Sequence, residues 1–157
     1  MTADLSSVLQ AHESTSREPE VLRLAFALAC AERVRHLLED EGVVRCLDTL
    51  ADYLAGSVDR AALERAASDS AALANRHQGS RSLDGVGHAA VSAGYAVANA
   101  VAGRAIQAAD YAAYAAVYGA GGYGATSDPE SFVPERSWQR ARLDQLAGEL
   151  RDADGAA

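Results

Sequence analysis

Four histidines, His12, His36, His77 and His88, are the side chains of this 157-residue chain best suited to metal or acid–base chemistry. A carboxylate di-iron bundle places Glu three residues before His on two helices. Here those positions hold Leu9, Arg33, Ala74 and Gly85, which excludes that class. Glu32 and His36 lie one helical turn apart, a spacing that suits a shared metal. It equally suits an ordinary surface pair worth a few tenths of a kcal/mol. Arg33 and Arg35 add positive charge beside them, so no metal and no cofactor is expected. Glu32 and Arg33 also follow a strongly apolar stretch. Charges at the edge of a core tend to be paired, because an unpaired one costs several kcal/mol. They read either as ordinary surface charges or as an anchoring pair at a binding groove.

His88 falls in the first turn of an Ala-rich helix, where the dipole disfavours imidazolium. It reads as an interior hydrogen-bonded residue bridging to another helix, or else as a ligand contact or acid–base group. Tyr111, Tyr114 and Tyr118 recur at three and four and form one aromatic ridge, with Tyr123 and Trp138 placed to join it. Such a ridge serves core packing against the last helix or an interface, since tyrosine has an apolar body and a polar tip. The glycines at 119–124 are not a phosphate loop, because no Gly-Lys-Ser or Gly-Lys-Thr closes them. No nucleophile elbow and no Cys–His pair is signalled. Glu39, Asp40 and Glu41 are read as the end of a helix, where the dipole disfavours acids by roughly 0.3–1 kcal/mol each. Asp48 and Asp52 add a like-charged pair one turn apart. Acids in unfavourable places suggest a use, against the ordinary reading of solvated surface.

The elements that must carry these residues are helical. Residues 86–118 are small, apolar and free of proline, with only Arg104 and Asp110 charged apart from His88. Alanine favours helix. Unbroken, the stretch would reach roughly 50 Å, so a bend near Gly94 or Gly103 is expected. Larger side chains on other helices must fill the grooves beside it. Upstream, the pattern gives a short helix at 4–12, with Ser16 capping a buried helix at 18–41 that Gly42 stops. A helix follows at 43–55, with Val43, Leu47, Leu50 and Leu54 on one face and Gly56 at its end. Ser57 or Asp59 caps a further helix at 60–77. Residues 79–85 read as a loop in which Asp84 caps the Ala-rich element. Residues 119–124 read as a flexible loop, and Ser127 with Glu130 as a capping box. The last helix runs over 134–150. No stretch alternates long enough for a strand. The expectation is one all-α domain over 1–157, a bundle of about six helices around a long Ala-rich helix, with 1–17 and 151–157 loosely attached.

Fourteen basic and 22 acidic residues give a formal net charge of −8. That argues against nucleic acid and against anionic membranes. It fits a basic protein partner, or simple solubility. Cys30 and Cys46 belong to no CxxC and read as buried thiols in a reducing compartment. No signal peptide stands near Met1, and the Ala-rich stretch is too interrupted to span a membrane. A cytoplasmic location is expected.

Four pieces in order carry a resemblance. They are Leu-Ala-Cys-Ala-Glu-Arg-Val at 28–34 with Leu-Leu-Glu at 37–39, Tyr-Leu-Ala-Gly at 53–56, Gly-His-Ala-Ala at 87–90 leading to Tyr111, and Glu-Arg-Ser-Trp-Gln-Arg-Ala-Arg-Leu at 135–143. Together they resemble the helical immunity-protein-five-like family, whose members resemble proteins encoded beside bacterial toxins. Gly94 and Tyr95 stand where such proteins often carry further histidines. The resemblance implies a non-enzymatic inhibitor that binds a cognate toxin. On that reading Glu39, Asp40, Glu41, Asp48 and Asp52 attract a basic partner, with Tyr118 and Tyr123 as anchors. A competing reading is a small-molecule or enzyme site walled by Phe26, Glu32, Arg33, His88, Tyr111 and Trp138. A third is a homodimer through the Ala-rich surface.

Overall fold

The computed structural model describes residues 4–76 and 86–155. The described residues form seven α-helices and no strand: α1 Leu5–Thr15, α2 Pro19–Arg33, α3 Glu41–Leu54, α4 Arg60–Arg76, α5 Val86–Val101, α6 Ala105–Thr126 and α7 Val133–Gly155. Two short 3₁₀ turns, Arg35–Leu37 and Pro129–Phe132, precede α3 and α7. The chain is all-α, as the periodicity requires. His77, the loop at 79–85 and the cap expected from Asp84 lie outside the described residues.

The long Ala-rich stretch is a hairpin. Gly103 adopts φ +81°, and the chain reverses there between α5 and α6. Gly103 N–H donates to Ala100 O at 3.0 Å and Arg104 N–H to Asn99 O at 2.9 Å, the paired bonds of a glycine-ended helix. The bend therefore falls at Gly103, while Gly94 is buried inside α5. Ala93, Ala96 and Ala100 of α5 and Ala108, Ala109, Ala112 and Ala115 of α6 are buried. With no side chain beyond Cβ, these faces let the helices approach closely. Leu22, Phe26, Leu47, Leu50 and Leu143, all fully buried, supply the bulk around them. The alanine faces expected at a homodimer contact are thus covered within one chain.

α2 packs against both arms of the hairpin, α3 and α4 cover α5, and α7 lies on α2 and α6. Gly56, at φ +80°, ends α3 as expected, with Ser57 N–H donating to Asp52 O at 2.8 Å. Asp59 caps α4 through Ala62 N–H at 2.9 Å. α1 is docked on α2 and α7: Val8 and Leu9 are buried, Arg23 pairs with Glu13 at 2.7 Å, and His12 meets Asp144 at 2.8 Å. α7 continues to Gly155, past the expected end at 150.

Three local expectations are corrected. α2 does not run to 41; it stops at Arg33. Arg35 turns to Asp48 at 2.7 Å, and Asp40 is the N-cap of α3, accepting from Gly42 N–H at 2.7 Å. Aspartate is favoured as a cap and indifferent inside a helix, so the chain starts a new helix there. Gly42 is consequently within the first turn of α3 and stops nothing. A methyl group on it would lie 2.8 Å from Leu73 Cδ1, so the glycine leaves room for α4. Residues 119–124 are not a loop. α6 runs through them with one kink at Gly122, where φ is +66° and ψ −153°. Ser127 forms no capping box with Glu130. It closes α6 by donating from Oγ to Tyr123 O at 2.8 Å, while Asp128 accepts from Glu130 N–H at 3.1 Å.

Candidate functional site

Leu37, on the turn between α2 and α3, decides what meets at one end of the bundle. A methyl group at Gly119 would lie 3.5 Å from Leu37 Cδ2 and 3.6 Å from Ala89 Cβ. Leu37 thus sits against the start of α5 and the last turns of α6. That contact places the acidic turn at 39–41 at the same end as His88, Tyr118 and Tyr123. The His88 ring lies 5.3 Å from Tyr118 and 5.8 Å from Tyr123, and Tyr118 lies 5.1 Å from Tyr123 and 5.7 Å from Tyr114. These are ordinary edge-on and tilted aromatic contacts. His88 is half-buried and touches α6 through these ring contacts.

Within the cluster, exposure divides the roles. Tyr118 is buried, and burial together with the hydroxyl of Tyr123 pushes its phenol up to about 12. Tyr123 is 66% exposed. The kink at Gly122 and the bonds from Ser127 and Thr126 to Tyr123 O hold that residue at the tip of the helix. Tyr111 leaves the expected ridge and stacks on Tyr95, with ring centroids 5.3 Å apart. Trp138 does not join it either, lying instead under Arg33, whose Cζ is 4.3 Å from the ring centroid.

The acids are placed differently from the expectation. Asp40 and Glu41 begin a helix, where the dipole favours negative charge. These two acids therefore do not sit at an unfavourable helix end. Glu39 and Glu41 are exposed. Asp48 shares Arg35 with Glu32. Asp52 is exposed but stands eleven residues beyond Glu41, about 16 Å along α3 and near its other end.

The six residues of the alternative pocket do not share a cleft. Phe26 is fully buried in the core. Glu32 is exposed and pairs with Arg35 at 3.2 Å, not with His36. Arg33 makes a two-pronged bond to Glu135 at 2.7 and 3.2 Å. His88 and Tyr111 belong to separate aromatic contacts, and Trp138 to Arg33. Two open clefts lie elsewhere. One of about 650 Å³ is bounded by α1, the start of α2 and the α5–α6 turn, and one of about 450 Å³ lies between α3 and α4. Among the described residues no three His, Cys, Asp or Glu side chains gather as metal ligands. Both cysteines are free and buried, and burial pushes the Cys30 thiol up to about 12. No described helix is long and apolar enough to cross a membrane.

Sequence reading missed two features. One is the tether of α7: Arg33 to Glu135, Arg136 to Asp110 at 2.6 Å, and the buried Gln139, which donates to Ala109 O at 2.8 Å. A polar residue among the apolar anchors of α7 was the available signal. The other is a line of arginines in the α3–α4 cleft, signalled by Arg65 and Arg76 on one helical face.

The fold is an all-α bundle built on an alanine hairpin. The family model described as "Imm-5 like putative immunity protein" matches residues 13–146, and the chain belongs to that family. All four segments that carried the resemblance fall within the match. Neither the curated proteins nor the solved structures give a match to this chain.

Proposed function

We propose that this protein neutralises a cognate toxin by direct contact. The reading rests on family membership across most of the chain. The end of the bundle carrying His88, Tyr118 and Tyr123 beside Glu39, Asp40 and Glu41 supplies the contact, and Asp48 and Asp52 extend it along α3. Tyr123 is the anchor: a 66%-exposed aromatic ring backed by a buried one offers apolar area that is already fixed in place. Acids around an aromatic centre favour a basic partner, and the net charge of −8 speeds the encounter.

The test is co-expression with the toxin encoded beside this gene. A stable complex at low salt that restores growth of toxin-producing cells is expected. Failure of the purified pair to associate at low salt overturns the reading.

A further inference from the structure

Six arginines close ion pairs: Arg23, Arg33, Arg35, Arg60, Arg136 and Arg140. Among the described residues Arg17, Arg104, Arg142 and Arg151 close none, and neither do Arg45, Arg65 and Arg76; what marks out the last three is that they lie together. All three are exposed, and among the described residues none has a carboxylate within ion-pair distance. All three line the same cleft of about 450 Å³ between α3 and α4. Arg65, Asp69, Ala72 and Arg76 follow one another at spacings of four, three and four, so they share a face of α4. Arg45 and Thr49 face them across the cleft from α3. From Arg65 to Arg76 the line spans about 16 Å. Val58, Ala66, Leu73 and the buried Cys46 add apolar lining.

A shortage of acids does not explain the open guanidiniums, because acidic residues outnumber basic ones, 22 to 14. Asp69 stands on the same face as Arg65 and Arg76 and pairs with neither. Arg76 spends only Nε, on Ala72 O at 3.3 Å. Guanidinium forks lined along an apolar-floored groove suit carboxylates taken two-pronged.

We propose that the α3–α4 groove binds an acidic segment of a protein partner, with carboxylates at Arg65 and Arg76 and small apolar side chains between them. Charge and spacing favour a peptide over nucleic acid. Asp69 in the middle of the line, and Asp40 and Glu41 beside its Gly42 end, repel a continuous phosphate chain. Discrete carboxylates can avoid them. The groove adjoins the acidic turn at 39–41 but shares no residue with the surface assigned to the toxin, and Arg65→Gln with Arg76→Gln tests it while Tyr123→Ala tests the other.

The probe is the hexapeptide Glu-Ala-Ala-Ala-Ala-Glu, whose two end carboxylates span roughly 16 Å when extended, titrated into the isotope-labelled full chain and followed by nuclear magnetic resonance. Shifts are expected at the side chains of Arg45, Arg65 and Arg76 and along the backbone of 42–49 and 62–76, weakening as salt is added. The double substitution Arg65→Gln and Arg76→Gln, both at exposed helical positions, is expected to weaken binding roughly tenfold with an unchanged helical spectrum. Arg104→Gln, in the other cleft, is expected to leave binding unchanged. Shifts absent, shifts confined to residues outside the groove, or full binding by the double variant would overturn the proposal. So would a single-stranded oligothymidylate that occupies the groove more tightly than the peptide.

Discussion

Tyr118 and Tyr123 stand 5.1 Å apart, yet they answer to different forces. Tyr118 is 2% exposed and packs on His88 of α5 and on Tyr114 of its own helix. Tyr123 is largely in water. Tyr118→Ala is therefore expected to destabilise the fold by about 3 kcal/mol, the scale of removing a buried aromatic ring. Tyr123→Ala is expected to leave the thermal midpoint within a few degrees and to weaken toxin binding by about tenfold or more. Calorimetry and titration of the two variants separate the roles. Gln139 makes the matching case inside the core. Its amide donates to Ala109 O and accepts from Arg136 at 2.9 Å while 1% exposed. Gln139→Ala removes both bonds and leaves a void, so a loss of about 2–3 kcal/mol in urea unfolding is expected.

Element boundaries were the least legible part of the sequence. The glycines show why. Gly42, Gly56, Gly103, Gly119 and Gly122 carry the same letter and do different things. Gly56, Gly103 and Gly122 have positive φ; Gly42 and Gly119 are helical and sit beside Leu73 and Leu37. Only the conformation tells a stop from a close approach. Gly103→Ala is expected to cost about 1–2 kcal/mol, because the left-handed residue of the α5–α6 turn acquires a Cβ. Gly119→Ala meets neighbours at ordinary contact distance and gains helix propensity, so it is expected to be neutral or stabilising by up to about 1 kcal/mol. Chemical denaturation of the pair tests the distinction. The opposite outcome would mean that residues 119–124 are the loop their composition suggests.

At the scale of the molecule, charge couples the first and last helices. Hydrogen bonding from His12, helped by Arg140, holds the Asp144 carboxyl below its ordinary value of 3.8. The stability this contributes is complete above that value and is lost as the pH falls beneath it. Urea unfolding between pH 6 and pH 3 is therefore expected to show a steeper acid loss in the native chain than in Asp144→Asn. Length, alanine content and helical periodicity were enough to specify an all-helical chain with the alanine stretch at its centre, and four short segments in order carried the resemblance to the family the chain belongs to. Each depends on neighbours along the chain or on overall composition. Tertiary structure alone decided that the stretch folds back at Gly103 and not at Gly94, that α2 ends early so Asp40 can cap α3, and that Leu37 packs against the start of α5 and the last turns of α6. It also dispersed Glu32, His88 and Trp138, which spacing had allowed to share a pocket. Such outcomes turn on which side chain fills the space beside a small one, and contacts between residues fifty or more positions apart leave no period in the sequence.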